Sequence, residues 1–332
     1  MKKNKRNIAD KHESRLSYLK PAKVVRLPSC SNSRAFLNVL LYFDLFRYPL
    51  TGEEIFNYTG TPKVKIPEAK TLLAEMVKKG FIRHHEGFYY VSSDETLIQR
   101  RIEGSYRAKS KMKTAKRYSR IISWFPFVRG VFLSGSISKG FLSDNDDIDY
   151  FIITDPGRVW LTRSMLTLFK KIFLLNSFKN FCINYFIDSE NLLIKEQNRF
   201  TATEIVFLVP MYNRTLYREF MEKNRWVRGY YPSLRQCESY SFNRASILKH
   251  LFELILDNSF GRWLDDYLMN SSLKFIRNKY SYMEYEYFNK CFLLEKQRIR
   301  YLPNCQQLSI MDRFKVNVQS FERKTGLRLR SG

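Results

Sequence analysis

Gly135-Ser136, ten residues, then Asp147-Ile148-Asp149 is the stretch of this chain whose residue types and spacing can do chemistry. Residues two apart lie on the same face of a strand, so Asp147 and Asp149 present two carboxylates together. The apolar run Tyr150-Phe151-Ile152-Ile153 that follows reads as a buried strand, where a carboxylate pair is costly unless a cation sits between its members. Magnesium takes hard oxygen donors and keeps several waters, so two carboxylates and a polyphosphate complete its shell. Gly135 has no Cβ to keep backbone N–H groups from a phosphate, and Ser136 adds a hydroxyl. Lys139, one turn further on, could reach a phosphate oxygen as a point charge. Asp144 and Asp146 lie in the polar turn Ser143–Asp146 and are read as shaping that turn.

The pattern apolar residue, Gly, Ser, a spacer of ten, then Asp-apolar-Asp-apolar resembles the nucleotidyltransferase superfamily typified by DNA polymerase beta and kanamycin nucleotidyltransferase. Here it is Leu133-Ser134-Gly135-Ser136 and Asp147-Ile148-Asp149-Tyr150. The signature covers residues 131–153; a looser likeness, to bacterial proteins that place a winged helix before such a domain, runs from about 33 to 233. The resemblance implies Asp147 and Asp149 as catalytic metal ligands and Gly135, Ser136 and Lys139 as nucleotide contacts. It further implies Mg²⁺ or Mn²⁺ as cofactor and a nucleoside triphosphate, with ATP first, as substrate. It also implies a third carboxylate on a later strand. In Phe181–Ile187 the expected position falls on Asn184, an amide that cannot accept a proton. Asp188, about 13 Å further along at strand rise, is the substitute assigned as third catalytic carboxylate, with Glu190 as an alternative.

These residues require elements to hold them. Val128–Leu133 reads as the strand before the loop, and 156–175 as an amphipathic helix between two strands, its Arg158 and Arg163 left as solvated positions. Residues 201–208 and 216–221 read as helices behind the core. Upstream, 1–32 carries nine basic residues against Asp10 and Glu13 and reads as a basic disordered arm. Residues 33–98 read as a winged helix-turn-helix. Its parts are a helix from Ala35 to Phe46, a capped helix opening at Thr51-Gly52-Glu53-Glu54, a third helix over 67–79 stopped by Gly80, and a hairpin around His84–Gly87. Residues 99–124 read as a basic connecting helix with Ile102, Tyr106, Met112 and Ala115 as its apolar face. The catalytic core is 125–200 and the C-terminal region, 201–332, is helical, with one long or broken helix over 246–268 and another over 290–300. The fold class is mixed α+β: a winged helix, a mixed sheet with flanking helices, and a helical C-terminal region.

The chain has 332 residues, enough for two or three domains, and a net charge of +25. That excess favours a polyanionic partner, so nucleic acid is open through the winged helix and basic segments. The third helix is a mediocre DNA reader, since Glu68 and Glu75 share it with Lys70, Lys78 and Lys79. No apolar stretch reaches membrane-spanning length and no secretory signal is evident, so the expectation is a cytoplasmic chain with no membrane contact. Five scattered cysteines without a Cys-x-x-Cys argue against a metal cluster or a disulfide framework.

Two functions fit. One is an enzyme moving a nucleoside monophosphate from a triphosphate to an unidentified acceptor, with release of pyrophosphate. The alternative is a DNA-binding regulator with a degenerate transferase fold that senses nucleotide without turnover, for which Asn184 in place of an acid speaks.

Overall fold

A computed structural model of the chain describes residues 31–59, 66–175, 179–234, 242, 247–302, 305–326 and 328–329. The basic arm (1–30 of it), the Lys63–Lys65 loop, Cys30 and Cys237 lie outside these residues. The chain divides into two compact units, one of 1–103, 228–234 and 309–332, the other of 104–227 and 235–308.

The first unit begins with α1 (Ser31–Asp44), β1 (Leu50–Thr51), α2 (Gly52–Thr59) and α3 (Ile66–Lys78), followed by β2 (Arg83–His85) and β3 (Phe88–Tyr90). The start of α2 is a reciprocal cap: Glu54 N–H donates to Thr51 Oγ1 at 3.2 Å, and Thr51 N–H donates to Glu54 Oε2 at 2.9 Å. Helix α3 buries Ala69, Leu72, Leu73 and Met76 and ends at Gly80, whose φ of 73° is open to glycine. The strands pair in the order β1-β3-β2, all antiparallel. Three helices and a hairpin wing are thus present as expected. His84 stacks on Tyr89 at the hairpin, a ring contact. On α3, Glu75 pairs with Lys79 at 2.7 Å, which neutralises part of its basic face.

Helix α4 (Thr96–Ser123) crosses the division at 103/104. Its buried stripe is Ala108, Ala115 and Ile122, spaced by seven, whereas Ile102 and Tyr106 face water. The expected apolar face is corrected in its first half only: Met112 and Ala115 pack on the core as expected, whereas Ile102 and Tyr106 do not. Gly104 packs closely, since a Cβ there would collide with the Phe141 ring, and its carbonyl accepts from Leu142 N–H at 3.0 Å.

The second unit is built on a six-stranded mixed sheet. Its elements are β4 (Val128–Ser134), the single turn α5 (Gly135–Ser138), β5 (Asp149–Thr154), α6 (Val159–Phe173), β6 (Cys182–Asp188), α7 (Arg199–Val206), β7 (Val209–Tyr212), α8 (Arg214–Lys223), α9 (Ile247–Leu256), α10 (Ser259–Lys279), α11 (Tyr285–Cys291), β8 (Phe292–Leu294) and β9 (Arg298–Tyr301). The last helix, α12 (Gln306–Thr325), brings Phe314 against Tyr42 and Phe321 against Phe81 in the first unit.

Strand order is β7-β4-β5-β6-β9-β8; β5 and β6 run parallel and the other pairs antiparallel. One sheet face packs Tyr150, Ile152, Phe186 and Ile299 with Trp160 of α6 and Ala115 of α4. The other carries Phe132, Phe151 and Tyr185 in ring contact with one another and with Tyr217 and Phe220 of α8.

Two expectations for the C-terminal region are corrected and a third is resolved. The stretch 290–300 forms β8 and β9, because Arg298, Ile299, Arg300 and Tyr301 alternate at strand period and β9 finds the free edge of β6. Of the two forms expected over 246–268, one long or one broken helix, the structure has the broken one, interrupted at Asp257-Asn258, where Asn258 Oδ1 accepts from Gly261 N–H and caps α10. Cys291 and Cys305, Cα atoms 4.4 Å apart, form a disulfide. Chain reversal through β8 and β9 brings together two cysteines that linear spacing leaves scattered.

Candidate active site

Every residue of the predicted motif falls at one end of the central sheet. Asp149 opens β5, opposite Ser134 at the end of β4 and Cys182 at the start of β6. Gly135 adopts φ 68°, and a Cβ there would strike the Asp149 carboxylate. Glycine is therefore needed twice, for the left-handed backbone and for the close approach of the acid. The turn is knitted internally: Ser136 O accepts from Lys139 N–H and Phe141 N–H at 3.1 and 3.2 Å. Asp146 Oδ2 accepts from Ser143 N–H at 3.0 Å and Asp144 pairs with Arg107 at 2.8 Å, so these two acids shape the loop as expected.

The partners of Asp149 define its chemistry. Asn184 Nδ2 donates to Asp149 Oδ1 at 2.9 Å, and the buried thiol of Cys182 donates to Asn184 Oδ1 at 3.4 Å. The residue predicted to fill the third acidic position thus reaches the pair as an amide. Burial, with the charges of Glu204 and Asp147 added, pushes Asp149 up to about 7, against the opposing pull of the Cys182 hydrogen bond and of Lys139. Asp147 is raised as well, by burial first and then Asp146, with Lys170 opposing. Burial and the two aspartates together push the Cys182 thiol far up, so it is a neutral hydrogen-bonding group.

Lys139 Nζ donates to Gly135 O at 3.0 Å and to both Glu204 carboxylate oxygens at 3.0 and 3.2 Å. Its ammonium is thereby fixed over the loop, where a phosphate contact was expected. Glu204 is the carboxylate that sequence reasoning missed. It was read as part of a helix start at Thr201, whereas α7 starts at Arg199, with Asn198 Oδ1 accepting from Thr201 N–H. One signal could have found it: a lone acid set among Ala202, Ile205 and Val206, all buried.

Asp188 does not join the site. It pairs with Thr154 at the opposite end of the sheet, five rows and roughly 16 Å from Asp149 at strand rise. Its Oδ1 accepts from the N–H groups of Glu190 and Asn191 and from Asn191 Nδ2, which closes the turn after β6. The turn places Glu190 at that end too. Arg158 is buried there, paired with Asp257 at 3.0 Å, and Arg163 lies over the Trp160 ring.

Among the described residues no group of three or more His, Cys, Asp or Glu side chains could hold a metal. Asp147 and Asp149 are two hard oxygen donors whose pKa values are raised by burial first, then by a neighbouring acid, Asp146 for Asp147 and Glu204 and Asp147 for Asp149. That strain is what a divalent cation relieves, with phosphate and water completing its shell, so the donor set fits Mg²⁺. Beside the turn, an open groove of 340 Å³ is bordered by Ile137 and Gly140 and by Lys109, Lys113 and Lys116 of α4. No helix among the described residues is long and apolar enough to cross a membrane. No family model, curated protein or solved structure matches the chain.

Proposed function

We propose that the chain is a metal-dependent nucleotidyltransferase acting on a nucleoside triphosphate at the Gly135–Asp149 end of the sheet. The observation that carries this is the seat of Asp149: a half-buried carboxylate, raised to about 7, packed directly beneath a glycine in a left-handed turn. Asp147 and Asp149 would hold Mg²⁺, or Mn²⁺ in its place. The cation supplies charge neutralisation for the triphosphate and its leaving group. The chain's own residues do the positioning. The Gly135–Ser136 turn offers backbone and hydroxyl donors, and Lys139, braced by Glu204, adds a fixed positive charge.

The acceptor hydroxyl oxygen forms a bond to the α-phosphorus, and the bond from that phosphorus to the bridging oxygen breaks. Pyrophosphate leaves with the electron pair, and the hydroxyl proton passes to water or to a nearby carboxylate. Alignment carries most of the catalysis in such a transfer. Cytoplasmic residence belongs with this reading, since the donor nucleotide is an intracellular metabolite.

One observation favours the second reading, a nucleotide-sensing DNA-binding regulator: the Asn184 amide holds Asp149 where a general base would stand. Labelled ATP binding with and without Mg²⁺, and pyrophosphate release over a panel of hydroxyl acceptors, separate the two. Mg²⁺ is expected to tighten ATP binding at least about tenfold, and Asp147→Asn/Asp149→Asn should remove both that gain and any release. ATP affinity indifferent to Mg²⁺ in the wild-type chain would sink the transferase reading.

A further inference from the structure

Helix α9 is turned inside out. The segment Ile247–Leu256 holds two residues charged at neutral pH, Lys249 and Glu253, one turn apart, and these are the buried ones, 1% and 9% exposed. Lys249 Nζ donates to the carbonyls of Ser123 and Val128. Glu253 Oε1 accepts from Phe127 N–H and from Arg129 Nη1, both at 2.7 Å. The helix is thus fixed to the core by its polar side.

Its apolar side faces water. Leu251, Leu254 and Ile255 are 53%, 78% and 57% exposed. Helix α10 continues the stripe with Phe260, Trp263 and Tyr267, ring on ring at 5.7 and 5.6 Å, each more than half exposed. The two helices are joined through Asp257-Asn258 and meet where Gly261 packs against the Leu256 carbonyl, too tightly for a Cβ. An amphipathic helix ordinarily buries its apolar stripe. Here the polar side is latched and the apolar side left over, which is stable in water only if something covers it.

Size and charge identify the cover. Half-exposed large apolar side chains leave on the order of 100 Å² each in water. The patch therefore exceeds the few hundred Å² that monomers tolerate and approaches the roughly 800 Å² each partner gives a stable interface. It is also nearly neutral in a chain of net charge +25. Asp257 is paired with Arg158, and Asp265 and Asp266 with Lys296. Arg262 hydrogen-bonds Ser259. Helices that lie on anionic bilayers carry a rim of Lys and Arg, whereas among the described residues of this patch Arg262 is the one cation not paired with an acid. Two chains of +25 can approach each other only across a face from which the excess charge is absent. We propose that the α9–α10 face is the interface through which two copies of this chain pair as a homodimer.

Sedimentation of the full chain from roughly 1 to 100 µM tests this, a range that brackets dimers of ordinary affinity. The expected mass is twice the 39.8 kDa chain. Leu254→Glu and Trp263→Glu should each weaken the dimer at least about 100-fold, as loss of a central apolar anchor does. Tyr106→Glu, at an exposed aromatic on α4, should leave it intact. Circular dichroism establishes that each variant is folded; were Leu254→Glu to unfold, the milder Leu254→Asn would be read in its place. A wild-type chain that stays monomeric throughout overturns the proposal. So does a dimer that survives both glutamates, or a monomer that binds anionic vesicles through this face.

Discussion

Two carboxylates at opposite ends of one sheet behave in opposite ways. Glu253, at the β4 entry, is pushed up by burial but held below its usual value overall by Arg129 and the Phe127 N–H. Asp149, at the β4 exit, rises to about 7, chiefly through burial, and Lys139, which also pairs with Glu204, offsets only part of that rise. At the first end, Arg129 also bridges to Asp155, and Asp188 closes its own turn. The difference teaches where to look for function. At one end of the sheet Glu253 is matched by Arg129 within the chain, and at the other Asp147 and Asp149 both stand above their usual values.

The largest effect is expected where the matched end is broken. Glu253→Ala leaves the Phe127 N–H and one arm of Arg129 without their acceptor, and takes a nearby counter-charge from Lys249. It should cost about 3–5 kcal/mol, as loss of one member of a buried ion pair does, read as a lowered denaturant midpoint. ATP binding by the folded fraction should persist. Next is Gly135→Ala, which puts a Cβ into Asp149 and a side-chain-bearing residue at φ 68°. About 1–3 kcal/mol of stability should go, and Mg²⁺-dependent ATP binding should go with it. Unchanged binding would mean the turn does not hold the nucleotide.

The smallest effect sharpens the comparison and has the opposite sign. Folded-state values raised to about 7 for Asp149 and about 6 for Asp44, both chiefly by burial, mean that the native chain holds protons the unfolded chain has released. Below the unfolded value near 4 the two states are protonated alike, and stability is highest. It falls as pH rises from there through 6 and 7. Without divalent cation, the melting temperature should therefore drop by several degrees, about 1–3 kcal/mol, between pH 5 and 8. Asp149→Asn should flatten much of that slope and melt higher at pH 8. An unchanged slope in this variant would show that Asp149 is not the strained group.

Much of this arrangement was legible. The Asp147/Asp149 spacing, the glycine turn, the capping residues at Thr51 and Glu54 and the Gly80 stop depend on neighbours within a few residues, and each was read where it stands. The first three helices, the wing, and strands β4 to β6 followed for the same reason. Asp188 was misassigned because strand register fixes a distance along the sheet but not which turn claims a carboxylate. Glu204 went unseen because its partner, Lys139, is 65 residues away. Residues 290–300 were read as helix because Arg298–Tyr301 is too short for its period to outweigh neighbouring helix formers.

The order of residues alone determined that Asp149 would stand at a strand's start behind a glycine turn, since strand-forming side chains and a missing Cβ act locally; Asp147 lies two residues before that strand. Packing decided the rest. Asn184 rather than an acid came to Asp149, Cys291 met Cys305, and α9 turned Lys249 and Glu253 inward while Leu254 faced water. Helix periodicity defines two faces but does not say which is buried. Here Arg129, the Phe127 N–H and two carbonyls, distant in the chain and close in space, made the polar face the inner one.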